Sequence, residues 1–156
     1  MLKPRKILIV KDCGDLRDLL GEALALLGWE TTLADSGREA MKKLKGDLPS
    51  VVLLDMGTPV MNGIELAASL KAHPTYKNIP ILATSGNSNG LTQERCLALG
   101  CDDFIAKPLA LAELETRLTK LLAAERRKAI RATAPINLAS HRRRGKSRSS
   151  SHRKVA

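Results

Sequence analysis

Aromatic side chains are almost missing from this 156-residue chain, which has one Trp, one Tyr and one Phe. Residues 125–156 have none of them, so that segment lacks the rings on which single-stranded bases stack. Cysteine is sparse as well: Cys13, Cys96 and Cys101 make neither an even disulfide framework nor a CxxC metal pair, which points to a reducing compartment. No apolar run nears the roughly 20 residues of a membrane span. Ile7 to Val10 is also too short for a signal-peptide core, so the expectation is a soluble, cytoplasmic protein. No Walker A sequence follows the first apolar run and no dinucleotide fingerprint is present.

What the chain has in excess is positive charge, and it is confined to one end. Residues 1–124 are formally neutral, whereas residues 125–156 carry the whole net charge of +10 with Glu125 as their one acid. The stretch from His141 to Lys154 is basic, rich in serine and free of aromatics, a composition that cannot offset its own ordering entropy. It is expected to be disordered.

Between Lys6 and Ala124 strand-like and helix-like patterns alternate, which argues for consecutive βα units. Short apolar runs at Lys6–Val10, Val51–Leu54, Ile81–Thr84 and Phe104–Ala106 read as strands buried on both faces of a parallel sheet, and Thr31–Ala34 as one more strand. Leu16, Leu19, Leu20, Ala23, Leu24 and Leu27 follow at helical spacing until Gly28. Ser36 and Glu39 form a capping box for a helix to about Lys45. Further helices carry Ile64, Ala67 and Leu70, and run from about Leu91 to Gly100. The last has a stripe of Leu111, Leu114, Leu118, Leu121 and Leu122 and extends to about Arg131, before Pro135.

Four of the apolar runs deliver a polar residue at their carboxyl ends: Lys11-Asp12, Asp55, Ser85 and Lys107. Ligands of open parallel sheets bind beyond those ends. Carboxylates, a hydroxyl and an ammonium gathered there suit a divalent cation and a phosphoryl group.

In order and spacing, Ile7-Leu-Ile-Val-Lys-Asp12, Ser36-Gly-Arg-Glu-Ala40, Leu53-Leu-Asp55 with Pro59, Met61-Asn-Gly63, Pro80-Ile-Leu-Ala-Thr-Ser-Gly86 and Phe104-Ile-Ala-Lys-Pro108 resemble the receiver domain of bacterial two-component response regulators. The resemblance implies a doubly wound (βα)5 fold, a five-stranded parallel sheet in order 2-1-3-4-5, of the flavodoxin-like kind. It also implies Asp55 as phosphoacceptor from a partner kinase's phosphohistidine. Asp12, Asp55 and the main-chain carbonyl of Gly57 would be Mg²⁺ ligands, with Lys107 and Ser85 on the phosphoryl oxygens. Phe104, the one Phe, would be a switch aromatic coupled to Ser85, or simply a core ring. Lys107–Pro108 matches a cis bond of the family, although sequence alone favours trans.

Two departures stand out. Receivers usually carry two adjacent acids after the first strand, and here the first is Lys11. Its ammonium would repel Mg²⁺ and could pair with Asp55, partly imitating a bound cation; alternatively it snorkels to solvent. Gly57 leaves open space over the acceptor, and Asn87 is the other position that could align or exclude water there.

The leading expectation is a single-domain response regulator, partnered by a sensor histidine kinase or phosphotransfer protein. An unknown output protein would read the face of the fourth helix, fifth strand and fifth helix. Alternatives are a phosphorylation-independent pseudo-receiver, for which Lys11 argues, and non-specific nucleic-acid binding through residues 125–156. A merely solubilising basic end stays open beside the last. Enzymatic turnover of an external metabolite is not expected: a haloacid-dehalogenase-type phosphatase needs an acid where Gly57 stands, and His73, His141 and His152 lie away from the motifs.

Overall fold

A computed structural model describes residues 5–57, 63–86 and 93–133. Its elements run β1 (Lys6–Val10), α1 (Gly14–Leu26), β2 (Glu30–Ala34), α2 (Gly37–Leu44), β3 (Val51–Asp55), α3 (Gly63–Ala72), β4 (Ile81–Ser85), α4 (Gln93–Ala98), β5 (Asp103–Ala106) and α5 (Leu111–Thr133). The five strands are all parallel, in the order β2-β1-β3-β4-β5. Asn87, the start of the expected fourth helix at Leu91, and the basic stretch beyond Thr133 lie outside the described residues.

The continuous apolar runs form central strands because both of their faces are covered. Leu8, Val10, Val52, Leu54, Ile81 and Ala83 point into one core with Ala40, Leu44, Leu66, Ala67, Leu70 and Cys96 from α2, α3 and α4. Their alternates Ile7, Ile9, Val51, Leu53, Leu82 and Ile105 pack on Leu24, Leu114 and Leu118 from α1 and α5. Each buried Val, Leu or Ile among them is worth about 1.5–3 kcal/mol relative to exposure, and the two-residue period places the helices in two layers. Trp29 closes the second core, donating from Nε1 to Glu115 Oε2 at 2.7 Å while Arg5 lies over its ring.

Local signals act where expected, with some differences. Ser36 Oγ accepts from the Glu39 amide at 3.1 Å, and Glu39 Oε1 accepts from the Asp35 amide, one residue before the usual capping-box donor. Gly28 and Gly100 adopt positive φ beyond the ends of α1 and α4, the left-handed conformation in which a side chain would be strained. The leucine stripe of α1 is broader than the face it buries: Leu24 is enclosed and Leu20 partly so, but Leu16 and Leu19 are 53% and 62% exposed. Helix α5 continues through Thr133, and its last turns carry exposed Arg126, Arg127, Lys128 and Arg131. Among the described residues no helix is long and apolar enough to cross a membrane.

Candidate functional site

Ladder hydrogen bonds that continue past the strands set the site. The Lys11 amide donates to Ala34 O at 3.0 Å, Met56 to Thr84 O at 2.8 Å and Lys107 to Ser85 O at 3.0 Å. The sheet thus holds the residue after β1, the end of β3 and the residue after β5 in register. Arg17 of α1 reaches back and donates to the Lys11 carbonyl at 2.8 Å, so both backbone polar groups of Lys11 are engaged.

Asp55 is the last residue of β3, 4% exposed. Its Oδ2 accepts from Lys11 Nζ and from Lys107 Nζ, each at 2.8 Å, and its Oδ1 accepts from the Gly57 amide at 3.0 Å. Burial opposes the charged form of this carboxyl, but the hydrogen bonds from Lys107, Lys11 and Gly57 together outweigh it. Asp55 is held below the ordinary carboxylate range. The two ammoniums are not equivalent: the Lys11 side chain is 10% exposed and the Lys107 side chain 34%. Lys11 therefore does not snorkel to solvent.

The other sequence-derived residues take distinct places. Ser85 ends the neighbouring strand β4, is buried, and donates from Oγ to Gly86 O at 3.1 Å. Asp12 is exposed beside Lys11. Phe104 lies on β5 opposite Ala83, partly buried against the core that α3 and α4 cover. The Lys107–Pro108 bond is cis, as the resemblance implied and against the general preference. Arg17 is the participant that sequence reasoning missed, since nothing in its spacing shows a guanidinium turning back six residues.

Mg²⁺ demands near-octahedral oxygen ligation. Asp55 Oδ2 already holds the Lys11 and Lys107 ammoniums and Oδ1 the Gly57 amide, and among the described residues no three His, Cys, Asp or Glu side chains come together as a metal site. The donor set as folded does not fit a divalent cation unless Lys11 leaves it. Beside the two lysines opens a cavity of about 640 Å³, walled by Leu16, Leu19 and Leu20 of α1 and by Leu109, Leu111 and Leu114.

The site thus joins a buried carboxylate at the end of the central strand to two cations that follow β1 and β5. The family profile described as the response regulator receiver domain matches residues 7–119. The chain is 34% identical over 119 residues to "Response regulator MprA" of Mycolicibacterium vanbaalenii, covering 76% of this chain and 51% of that protein. It is 32% identical over 117 residues to "Transcriptional regulatory protein PrrA" of Mycobacterium tuberculosis, covering 75% and 49%. Among solved structures, a response regulator from Chloroflexus aurantiacus superposes with a TM-score of 0.72 at 30% identity, over 78% of this chain and 99% of that one. Chemotaxis response regulator CheY4 of Vibrio cholerae gives 0.69 at 27% identity, over 76% and 99%.

This chain belongs to the receiver-domain family of two-component response regulators. It spans about half the length of the curated relatives it matches. The family generally depends on Mg²⁺, and its members interact with histidine kinases and output domains.

Proposed function

We propose that the chain is a phosphorylation-controlled receiver in which Asp55 accepts a phosphoryl group from the phosphohistidine of a sensor histidine kinase or phosphotransfer protein. The observation that carries this reading is the convergence of Lys11 and Lys107 on one buried Asp55 oxygen. The carboxylate is kept charged and therefore nucleophilic. The transferred group spreads negative charge over its oxygens, so catalysis is chiefly positioning and electrostatic stabilisation. Lys107 follows that charge onto the phosphoryl oxygens, and the Ser85 hydroxyl turns from Gly86 O to donate to one of them.

Movement of Ser85 frees space beside β5, where Phe104 is only partly buried, and shifts a two-state equilibrium read at the face of α4, β5 and α5. That face includes the edge strand of the sheet and the half-exposed Leu97. An output protein seated there completes the function, with no turnover of an external metabolite.

The test is intact mass after incubation with acetyl phosphate and Mg²⁺. The expected outcome is one phosphoryl gain in the parent and none in Asp55→Asn. No gain by the parent, while a two-acid receiver reacts alongside, favours the pseudo-receiver reading that the Lys11–Asp55 pair also suits.

A further inference from the structure

We infer that Lys11 is a resident cation of the phosphoacceptor site, supplying from the chain itself the charge needed for phosphoryl transfer to Asp55 in the absence of a divalent metal. This rests on the assignment of Asp55 as acceptor.

Three observations carry it. First, Lys11 Nζ is 2.8 Å from Asp55 Oδ2, the same oxygen that Lys107 holds, so its charge sits on the nucleophile. Second, the side chain stays inside although a lysine stem could carry its ammonium outward; it is the more buried of the two cations, and its backbone is pinned by Ala34 and Arg17. Third, the charges close without a metal. Lys11, Asp12, Asp55 and Lys107 sum to zero, whereas an acid at position 11 would leave the same four positions at −2, the deficit that one divalent cation neutralises.

The step balances without further reactants. An Asp55 carboxylate oxygen forms a bond to the phosphorus of an acyl phosphate, the donor's P–O bond breaks, and its electron pair leaves as the free carboxylate. No proton is consumed. As the new bond forms, the charge lost by the Asp55 carboxylate leaves with the donor's carboxylate, and the anionic phosphoryl oxygens come to lie beside Asp55. The ammoniums of Lys11 and Lys107 turn to those oxygens as charge-assisted donors. Lys11 thus touches the reacting group and is a catalytic residue of this chain.

The full chain would be incubated with acetyl phosphate in Mg²⁺ and, separately, in EDTA, with intact mass followed in time for the parent, Lys11→Asp, Lys11→Gln and Asp55→Asn. The parent is expected to gain one phosphoryl group at similar rates in both solutions. Lys11→Asp should react in Mg²⁺ and slow about a hundredfold in EDTA, the scale of losing one preorganised charge-stabilising group. Lys11→Gln, which removes the charge while keeping a side chain of similar reach, should slow likewise in EDTA; it keeps the test decisive if Lys11→Asp does not fold.

A parent that reacts in Mg²⁺ and is silent in EDTA overturns the inference and leaves Asp55 as acceptor. A silent parent whose Lys11→Asp variant reacts in Mg²⁺ also overturns it, because Lys11 then blocks the site. Reaction of Lys11→Gln in EDTA as fast as the parent overturns it too. Silence of every chain in both solutions removes the phosphoacceptor reading and this inference together.

Discussion

Lys11 and Lys107 reach the same carboxylate oxygen of Asp55 from opposite sides of the central strand, each at 2.8 Å. One follows β1 and the other β5, so strand order puts β3 between them. The pairing makes Asp55 a carboxylate whose compensation comes from the chain, and it links acid stability, metal affinity and reactivity to one atom.

Acid stability follows from the lowered pKa of Asp55. A carboxyl whose folded pKa lies below its unfolded value of about 3.9 contributes stability that is fully present above that value and lost as pH falls through the folded one. At neutral pH, Asp55→Asn leaves the buried Lys11 without its counter-charge and should cost about 1–3 kcal/mol. Urea midpoints for parent and variant, measured from neutral pH into acid below the ordinary carboxylate range, should converge as Asp55 is protonated. A difference that stays constant into acid would show that the ion pair does not set it.

Metal affinity should respond to Lys11 in the opposite sense. Replacing its ammonium by a carboxylate removes a like charge and adds a ligand oxygen, so Lys11→Asp is expected to bind Mg²⁺ at least about tenfold more tightly than the parent by calorimetric titration. Equal affinities would mean that Lys11 yields its place at no cost.

Much of this site could be read before any coordinates, for a physical reason. Strands buried on both faces leave no ambiguity about where apolar sequence stops, and Asp55, Ser85 and Lys107 stand at or immediately beyond those stops. The Lys11–Asp55 pair was one of two outcomes open from the sequence, the other being a lysine that snorkels to solvent, and burial of the ammonium decides between them. Long-range side-chain reach was not legible: the turn of Arg17 onto the Lys11 carbonyl depends on where α1 starts relative to the sheet. Nor was the exposure of Leu16 and Leu19, since helical periodicity marks an apolar stripe without showing how wide a face its neighbours cover.

Gly63 bears on the loop after the acceptor. A Cβ there would lie 2.8 Å from Met56 Cα and 3.1 Å from Asp55 O, contacts with backbone that cannot rotate away. Gly63→Ala should therefore cost about 1–3 kcal/mol by overpacking and slow phosphoryl gain by displacing Asp55. Chemical denaturation and the intact-mass time course check the two effects separately. A variant as stable and reactive as the parent would show that the backbone at Asp55 and Met56 yields freely.

The three cysteines should divide sharply in reactivity. Cys13 is exposed, whereas Cys96 and Cys101 are buried, and burial pushes the Cys101 thiol up to about 12 and raises that of Cys96. Only thiolates alkylate readily. Iodoacetamide at about pH 8 should modify Cys13 alone in the folded chain and all three in denaturant, with peptide mapping as the readout. Rapid labelling of Cys96 in the folded chain would mean that α4 opens easily.

The lifetime of the phosphoform should depend on Gly57. This residue is exposed, and what it brings to Asp55 is its amide, donating to Oδ1 at 3.0 Å. A larger side chain at this position would cover an acyl phosphate on Asp55 against the water that hydrolyses it. Gly57→Met preserves the amide and adds apolar cover, so decay of the phosphoryl mass after donor removal should slow. A barrier raised by about 1 kcal/mol corresponds to roughly fivefold. Equal lifetimes in parent and variant would place control of that water elsewhere, with Asn87 the next position to substitute.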